Sequence, residues 1–226
     1  MYHHRRVIDK QQNCRVISKR FNPKFIRDGD AILVRHDIGW SQPAAGHYRA
    51  QQQLTVAGST FQNLRGWNAV TLHVNDARVR FVNTHLEIQA FRKVQELQAV
   101  ELVTLLARQS LPVVLVGDFN SAANPAAPAG SRTASYLILR LAGYDDLTLR
   151  EPHSSTIVTC CHLPDLSDVV PTFDQRLDLV LAHFGFFGFP GLSDVEVVTG
   201  QRFPDHDYFL WPSDHAAVFG KLWPLR

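Results

Sequence analysis

Short runs of Val, Leu, Ile and Phe recur along the chain after residue 28, and turn-forming Gly, Pro, Asn or Asp residues separate them. Runs of this length and composition are typical of β-strands. The pattern predicts strands in AILVRHDI, LTVAG, NAVTLHV, VRFVNTHL, VVLVGDFN, RLDLVLAHF, VEVVTG and AAVFGKLW. Residues 1–28 are polar and only weakly patterned, so we expect a poorly patterned N-terminal segment at 1–28 and one domain at 29–226.

Two stretches have the spacing of amphipathic helices. From 88 to 109 the apolar residues gather on one broad face, although a few lie outside it. A second helix is predicted at about 131–142, with Ser131 or Thr133 as its N-cap and Gly143 as its stop. Hairpin-like strand pairs outnumber strand–helix–strand units, so the predicted fold class is α/β (α+β), a sandwich of packed sheets covered by helices.

Several predicted strands end in residues that can hold a phosphate, a metal ion or a proton. Period-two alternation places Asn83 and His85 on the face that carries the apolar residues of VRFVNTHL. The same count places Asp118 and Asn120 on the corresponding face of VVLVGDFN, beside Gly117, which permits close backbone approach. Both strands therefore begin apolar and end polar on one face.

Two later stretches repeat this arrangement. In RLDLVL, Arg176 and Asp178 share the face opposite the leucines. In WPSDHAAV, Asp214 and His215 are neighbours, and they converge only if Pro212 holds that segment in a turn. A single Asp or His at a strand end is usually a turn former or an ordinary surface residue. Four such ends in one chain favour a shared site, because carboxylates suit Mg²⁺ and imidazoles exchange protons.

The stretches VNTHLE, VGDFNS, RLDLVL and PSDHAAV, in this order, resemble the endonuclease/exonuclease/phosphatase superfamily. That superfamily includes pancreatic-type deoxyribonucleases, abasic-site endonucleases, neutral sphingomyelinases and inositol polyphosphate phosphatases. The resemblance extends from about Gly29, in GDAILVR, to the C-terminus. It implies a four-layer α/β/β/α sandwich of two packed mixed sheets with an incomplete N-terminal part. It also implies a Mg²⁺-dependent hydrolase of phosphate esters, with phosphodiesters as the expected substrates.

The resemblance assigns an expected role to each strand-end residue. His215 is expected to act as the general base or to contact the phosphate, with Asp178 holding its tautomer. Asp118 is expected to position or deprotonate the attacking water. Asn120 is expected to hydrogen-bond a phosphate oxygen, and His85 to stabilise the charge that develops there.

Metal binding is the point at which the sequence departs from the family. The resemblance makes Asp214 a ligand of Mg²⁺, with Mn²⁺ as an alternative. Family members also have an early strand ending in Asn and a strand ending in Gln-Glu, whose Glu is the principal ligand. Here no Glu precedes Glu87. Unless Glu87 or Asp30 compensates, we expect weak Mg²⁺ binding and a weak or inactive enzyme, at most a phosphate-ligand binding module.

Composition narrows the function only slightly. Of 226 residues, 45% are hydrophobic and 19% charged, which excludes a disordered polymer or a coiled coil. The formal net charge of +2 does not by itself indicate a nucleic-acid or membrane partner. The substrate therefore stays open among nucleic acid, phospholipid and small phosphorylated molecules. Without a membrane-spanning run or a visible signal peptide, we expect a cytoplasmic protein, or an unknown compartment if residues precede Met1, and a monomer if the fold is complete.

Three further stretches each allow two interpretations, a functional one and a purely structural one. The segment PDHDY is a metal site or, as we expect, a loop. The aromatic run FGFFGF is a lipid-contacting loop or, as we expect, part of the core. Cys160 and Cys161 form a redox pair or, as we expect, two reduced and buried thiols, since neighbouring cysteines close a strained ring.

Overall fold

The structure is a computed structural model, and it describes residues 14–17, 29–56, 58–151, 156–184, 192–198, 202–205 and 208–222. Most of the aromatic run FGFFGF and the centre of PDHDY lie outside these residues. The helices are α1 (Arg92–Leu106) and α2 (Ala134–Leu141), with 3-10 turns at Gln89–Phe91, Ala129–Ser131 and Leu147–Arg150. The strands are β1 (Cys14–Ile17), β2 (Ile32–Arg35), β3 (Gly39–His47), β4 (Gln52–Val56), β5 (Ser59–Asn63), β6 (Gly66–Val74), β7 (Ala77–His85), β8 (Val113–Asp118), β9 (Asp145–Asp146), β10 (Asp178–His183), β11 (Leu192–Val198), β12 (Phe203–Asp205), β13 (Tyr208–Leu210) and β14 (Ala217–Leu222).

A six-stranded mixed sheet forms the centre of the described structure, in the order β3-β6-β7-β8-β10-β9. Strands β7 and β8 are parallel, and the other neighbours are antiparallel. A parallel pair needs a crossover connection, which α1 supplies between β7 and β8. Consequently the last residues of β7 and β8 lie beside the first residue of the antiparallel β10. All three strand ends lie on the same side of the sheet, at the C-terminal ends of the parallel strands.

The predicted strand regions are confirmed, and the sheet also contains strands that the apolar pattern did not mark. The clearest is β3, whose sequence GWSQPAAGH includes a proline and two glycines. Its pairing with β6 shifts register between Ser41 and Ala44, and Gln42 has a positive φ of 50°. The strand lies at the edge of the sheet, where a proline costs no ladder hydrogen bond.

Both helices pack on one face of the central sheet. Their buried residues, including Leu102 and Leu139, join sheet residues such as Val82, Leu115 and Leu181 in one continuous core. The predicted boundaries are close: the first helix is shorter than 88–109, and the second begins after Thr133, whose side chain accepts a hydrogen bond from the Ser135 amide. Gly143 ends the second helix with a φ of +87°.

Two antiparallel ladders cover the opposite face of the sheet. The β1–β2 ladder packs through Ile32 and Val34 near Phe81, and the β11–β14 ladder packs through Val195 on Val114 and its neighbours. A cavity of about 1280 Å³ lies on this face, with apolar residues along it and Asp118 and Asp178 in its wall. The layers form the α/β sandwich that the sequence predicted. None of the helices in the described ranges is both long and apolar enough to cross a bilayer.

Candidate active site

Three of the predicted site residues lie side by side at the ends of three neighbouring strands in the central sheet. His85, the last residue of β7, is the register partner of Asp118, the last residue of β8. Asp118 is in turn the register partner of Asp178, the first residue of β10. The parallel and antiparallel pairings therefore place an imidazole and two carboxylates in one row across three neighbouring strands.

The first histidine–carboxylate pair joins the two parallel strands. His85 Nε2 lies 3.2 Å from Asp118 Oδ2. The same nitrogen lies 3.1 Å from Asn120 Nδ2, and the Asn120 amide N–H donates to Asp118 Oδ1 at 2.8 Å. Asn120 Nδ2 also donates to the Leu86 carbonyl at 3.0 Å. The structure thus brings His85, Asp118 and Asn120 together at the ends of β7 and β8.

The backbone at the end of β8 and just after it has an unusual conformation that holds this pair. Gly117 has a φ of +143°, and a Cβ there would lie 1.8 Å from the Thr84 carbonyl oxygen. Asn120 has a φ of 48°. The buried side chain of Gln95, on α1, donates to the Asn120 carbonyl at 2.7 Å and to the Glu87 carbonyl. Helix α1 therefore fixes the loop that carries Asn120, a contact that no sequence pattern indicated.

The second pair joins β10 to the segment before β14. His215 Nδ1 lies 2.7 Å from Asp178 Oδ2, which leaves Nε2 on the other side of the ring. Thr159 Oγ1 accepts hydrogen bonds from the amides of Leu177 and Asp178, at 3.0 and 3.2 Å. Both side chains of the pair are about one-fifth exposed, so a substrate or solvent can reach them.

The segment that carries His215 is held by contacts distant in sequence. His215 forms an isolated β-bridge with Cys160, and the Ala216 amide donates to the Thr159 carbonyl at 2.8 Å. The His162 amide donates to the Asp214 carbonyl, also at 2.8 Å. The residues around Pro212 and Ser213 form no regular strand, since β14 begins only at Ala217.

His162 itself was not identified from the sequence. Its ring is buried, stacks on Trp211 with centroids 4.3 Å apart, and lies 2.7 Å through Nδ1 from Asp168 Oδ2. The Trp211 indole N–H donates to the Asp168 carbonyl at 2.7 Å. These contacts tie the residues before His215 to those after Cys161. The only sequence signal was the position of His162 directly after the cysteine pair.

Asp214 lies beside the pair and not within it. Its side chain is exposed, and its Oδ1 is 3.5 Å from Ser213 Oγ. Among the described residues, Asp118, Asp178 and His215 form a group whose ligand atoms lie within 4.8 Å of one another, and Asp214 is not part of it. Asp214 acts on this group through its charge, which contributes to the titration of His215.

Comparison with known proteins identifies the family. The sequence model of the Endonuclease/Exonuclease/phosphatase family matches residues 2–215, nearly the whole chain. The chain belongs to this family. Its members hydrolyse phosphoester bonds, and the strand-end motifs of this chain lie within the matched range. No curated protein is significantly similar to the sequence.

Solved structures of the family share the fold at low sequence identity. A family protein from Leptotrichia buccalis is 16% identical with a TM-score of 0.57, covering 86% of this chain and 65% of its own. The mannosyl-6-phosphatase of Bacteroides thetaiotaomicron is 17% identical, with a TM-score of 0.60 and coverages of 86% and 70%. D. rerio TDP2 complexed with single strand DNA product is 12% identical, with a TM-score of 0.63 and coverages of 92% and 76%. The chain thus spans less than two thirds of the length of the first of these.

Charge within the site distinguishes the two carboxylates. Burial by itself raises the pKa of Asp118, but the hydrogen bond and charge of His85, with the charge of His215, outweigh burial and lower that pKa. Burial raises the pKa of Asp178, and the nearby negative charge of Asp118 adds to this despite the hydrogen bond from His215. The site therefore favours the ionised form of Asp118 more strongly than that of Asp178.

The same charges act on His215. Burial lowers its pKa, but the hydrogen bond and charge of Asp178, together with Asp118 and Asp214, outweigh burial and hold the pKa above its ordinary value. Three carboxylates thus surround this imidazole and favour positive charge there. The same surplus of negative charge favours a bound cation, and carboxylate oxygens are the ligands that Mg²⁺ prefers.

Glu87 belongs to a different part of this end of the sheet. Its carboxylate is buried and accepts hydrogen bonds from Asn63 Nδ2 at 3.0 and 3.1 Å and from the Ile88 amide. The Arg65 guanidinium lies 3.7 Å from the same carboxylate. These contacts give Glu87 a structural role in joining β5 to the chain that follows β7.

The two neighbouring cysteines adjoin the second pair. Cys160 is buried, as expected, but the expectation of a buried thiol is wrong for Cys161, which is exposed. The two Sγ atoms are in disulfide contact, and Cys161 Sγ lies 3.8 Å from His215 Nε2. Cys160 takes part in β-bridges to Gln175 and His215, and Cys161 lies at the exposed end of the pair.

Proposed function

We propose that this chain hydrolyses phosphate esters, most readily phosphodiesters, with the help of Mg²⁺ or Mn²⁺. Two histidine–carboxylate contacts, His85 with Asp118 and His215 with Asp178, support this proposal most strongly. The two carboxylates are register partners, so both contacts lie at the same end of neighbouring strands. Family membership supports the reaction type. Two titratable pairs and an amide within one small site are what in-line attack of water on a phosphate requires.

In this proposal His215 removes a proton from the attacking water. Asp178 occupies Nδ1 at 2.7 Å, so Nε2 is the nitrogen that faces away from the pair and accepts the proton. The carboxylate fixes the tautomer and stabilises the imidazolium that forms, as in other hydrolases with a His–Asp pair. Asp118, whose pKa the neighbouring histidines lower, positions the water between the two pairs.

The phosphate is held by the first pair. Asn120 Nδ2 donates a hydrogen bond to a non-bridging oxygen, and His85 lies beside it to stabilise the negative charge that develops on that oxygen. Asn120 is almost fully buried and is fixed by Gln95 and by the Leu86 carbonyl. A donor that is already oriented stabilises a transition state more than one that must reorient during the reaction.

The residues present fit a divalent cation. Asp214 is the proposed ligand from the resemblance, and the carboxylates of Asp118 and Asp178, grouped with His215, supply further hard donors. When bound, the cation polarises a phosphoryl oxygen or the leaving group. Because Glu87 is held by Arg65 and Asn63, we propose that it does not replace the family's principal ligand, and that Mg²⁺ binds weakly.

The position of Glu87 also favours a second candidate function. If Asp214 and its neighbours hold Mg²⁺ too weakly for turnover, the chain acts as a phosphate-ligand binding module through Asn120 and His85. The substrate or ligand class is a nucleic acid, a phospholipid or a small phosphorylated molecule. Among solved structures with this fold, one title names a single strand DNA product and another a mannosyl-6-phosphatase.

Hydrolysis of bis(p-nitrophenyl) phosphate by the purified full chain tests the proposal. Turnover is measured with EDTA, with Mg²⁺ and with Mn²⁺, beside His215→Ala and the exposed control His36→Ala. Metal-dependent turnover that is lost in His215→Ala and kept in His36→Ala would support the hydrolase. Equal rates in the wild type and His215→Ala, from folded proteins, would contradict it. Saturable binding of a phosphodiester without turnover would then favour the binding module.

A further inference from the structure

Three packed rings lie beside the second pair and take no part in the proposed reaction. The side chain of His162 is fully buried. Its ring stacks on that of Trp211, with centroids 4.3 Å apart, and meets the ring of Phe173 edge-on, with centroids 4.7 Å apart. Such offset and edge-on contacts hold rings in a fixed relative orientation. We call these three residues the aromatic clamp.

The aromatic clamp joins the chain segments that lead into the His215–Asp178 pair. Phe173 lies in the segment that leads into β10, whose first residue is Asp178. Trp211 lies in the segment that leads to His215. The ring of His162 contacts both of these rings, so one side chain connects the backbone on either side of the pair.

A carboxylate holds the clamp together. Asp168 Oδ2 lies 2.7 Å from His162 Nδ1, and the Asp168 carbonyl accepts a hydrogen bond from the Trp211 indole N–H at 2.7 Å. The His162 amide donates to the Asp214 carbonyl at 2.8 Å, directly before His215. The ring contacts and this backbone contact therefore act on the same short segment.

We propose that the aromatic clamp, through His162, positions the imidazole of His215 against Asp178 for proton transfer. This inference rests on the proposed function, in which that pair activates the water. The sheet fixes His85 directly, whereas His215 lies in a segment outside the regular strands and depends on such contacts for its place. A displacement of about 1 Å at a reacting group can lower a rate about 100-fold.

The choice of an imidazole at this buried position supports a role beyond packing. Among the described residues, His162 Nε2 is a buried nitrogen without a hydrogen-bond partner. A buried polar atom without a partner costs free energy, which a phenyl ring in the same place would avoid. A phenyl ring would also stack on Trp211, but it could not bind Asp168. His162→Phe therefore separates the hydrogen bond from the packing.

Steady-state hydrolysis of bis(p-nitrophenyl) phosphate by the full chain tests the proposal. We expect His162→Phe to lower kcat about 10-fold and His162→Ala about 100-fold. KM should stay unchanged, because Asn120 and His85, the proposed phosphate contacts, do not touch the clamp. Leu139→Ala, in the main core, is the matched control: it lowers the unfolding temperature and should keep kcat in assays below that temperature.

Three results would overturn the proposal. The first is an unchanged kcat in both His162 variants. The second is a loss of kcat in Leu139→Ala as large as that in His162→Ala, because general destabilisation would then explain both. The third is a higher KM with an unchanged kcat, because the clamp would then act on substrate binding.

The conservative variant tests the hydrogen bond by itself. Asp168→Asn keeps an oxygen that can accept from His162 Nδ1–H, so it should retain most of the wild-type rate. Asp168→Ala lacks that acceptor and should lose as much kcat as His162→Phe. Equal rates of the two Asp168 variants would overturn the role of this hydrogen bond.

NMR spectroscopy supplies an arm that needs no turnover. The ring ¹⁵N signals of His215, assigned by their loss in His215→Ala, report which nitrogen carries the proton. In His162→Phe they should shift toward the mixed tautomers of a free imidazole, and identical signals in wild type and His162→Phe would overturn the proposal. If the chain hydrolyses no phosphodiester, the proposed function fails, and these signals still decide whether the clamp positions His215.

Discussion

The two histidine–carboxylate pairs of the site are built in different ways. His85 and Asp118 are register partners at the ends of parallel strands, and their contact is 3.2 Å long. Asp178 also begins a strand, but His215 reaches it from a non-strand segment that is bridged to Cys160, and their contact is 2.7 Å long. The first pair is thus fixed by the sheet, and the second by contacts between loops.

The pairs also differ in which ring nitrogen they use. His85 directs Nε2 to its carboxylate, whereas His215 directs Nδ1 and leaves Nε2 available. The neighbouring charges lower the pKa of Asp118 and raise that of His215. A sheet-fixed pair whose carboxylate has a lowered pKa suits the holding of charge, and a loop-borne imidazole whose Nε2 faces away from its carboxylate suits proton transfer.

The largest expected effect is on kcat, and it distinguishes the proton-transfer role of His215 from the charge-stabilising role of His85. His215→Ala removes the proposed base and should lower kcat for bis(p-nitrophenyl) phosphate by about 10²–10⁴-fold. His85→Ala removes one group that stabilises charge and should lower it by about 10²–10³-fold. Steady-state kinetics of both variants, beside His36→Ala, make the comparison. A larger loss in His85→Ala than in His215→Ala would reverse the assignment of roles.

A buried ion pair formed by Arg176, just before Asp178 in the sequence, stabilises the part of the fold that carries the His215–Asp178 pair. Arg176 is almost fully buried, and its Nη1 lies 2.8 Å from Asp146 Oδ2. Arg176→Met leaves that carboxylate buried without its partner and should lower the free energy of unfolding by about 3–5 kcal/mol. Urea denaturation measures this, with exposed Arg132→Met as the control.

The matching double variant tests the cause of this loss. Replacing both partners, in Arg176→Met with Asp146→Leu, removes the unpaired charge and should recover part of the stability. A double variant no more stable than Arg176→Met would mean that the arginine stabilises the fold by packing instead.

The first pair is sensitive to the glycine that precedes Asp118. A Cβ at Gly117 would meet the Thr84 carbonyl oxygen at 1.8 Å, and its φ of +143° disfavours any other residue. Gly117→Ala should therefore force β7 and β8 apart and lower the free energy of unfolding by about 1–3 kcal/mol. Gly130→Ala, whose Cβ would have open space, is the matched control in thermal denaturation. Equal stability of the two variants would contradict the close approach.

The smallest effect concerns pH. Asp178 raises the pKa of His215 against the opposing effect of burial, so Asp178→Asn should lower that pKa. Because the proposed base acts when deprotonated, the acid limb of the kcat profile should move to lower pH in Asp178→Asn. The exposed control Asp165→Asn should leave the limb in place.

Stability should show the same linkage. A raised pKa in the folded state means that His215 contributes stability below its ordinary value of 6.5, and that this contribution is lost as pH rises through the folded value. Asp178→Asn should remove this pH dependence from urea denaturation curves. An unchanged acid limb and an unchanged stability profile would together show that Asp178 does not set the titration of His215.

The strand-borne half of the site was predictable because its spacing is local. Alternation placed His85, Asp118 and Asn120 on faces that turn polar at the strand ends, and the structure brings these three residues together. The strands and the second helix followed from the same local patterns. Edge strand β3 did not, because proline and glycine interrupt its sequence at a point where the ladder shifts register.

The loop-borne half depends on contacts that no local pattern records. Thr159 fixes the start of β10, and the buried His162 holds the residues before His215, yet each belongs to a stretch with no regular spacing. The exposure of Cys161, beside the buried and bridged Cys160, likewise has no signal in its own sequence context. In the sequence, Gln95 has the pattern of an ordinary polar residue in an amphipathic helix, and nothing there indicates its contact with Asn120.

The bridge between Cys160 and His215 has a consequence for how the protein is made. Asp118 and His85 come together when a parallel strand pair closes over one helix, but Asp178 meets its imidazole only when the last site residue in the sequence docks beside Cys160. Contacts between distant segments form slowly, because chain entropy is lost before they are gained. During refolding from denaturant, the secondary structure should therefore return before the proton-transfer pair does.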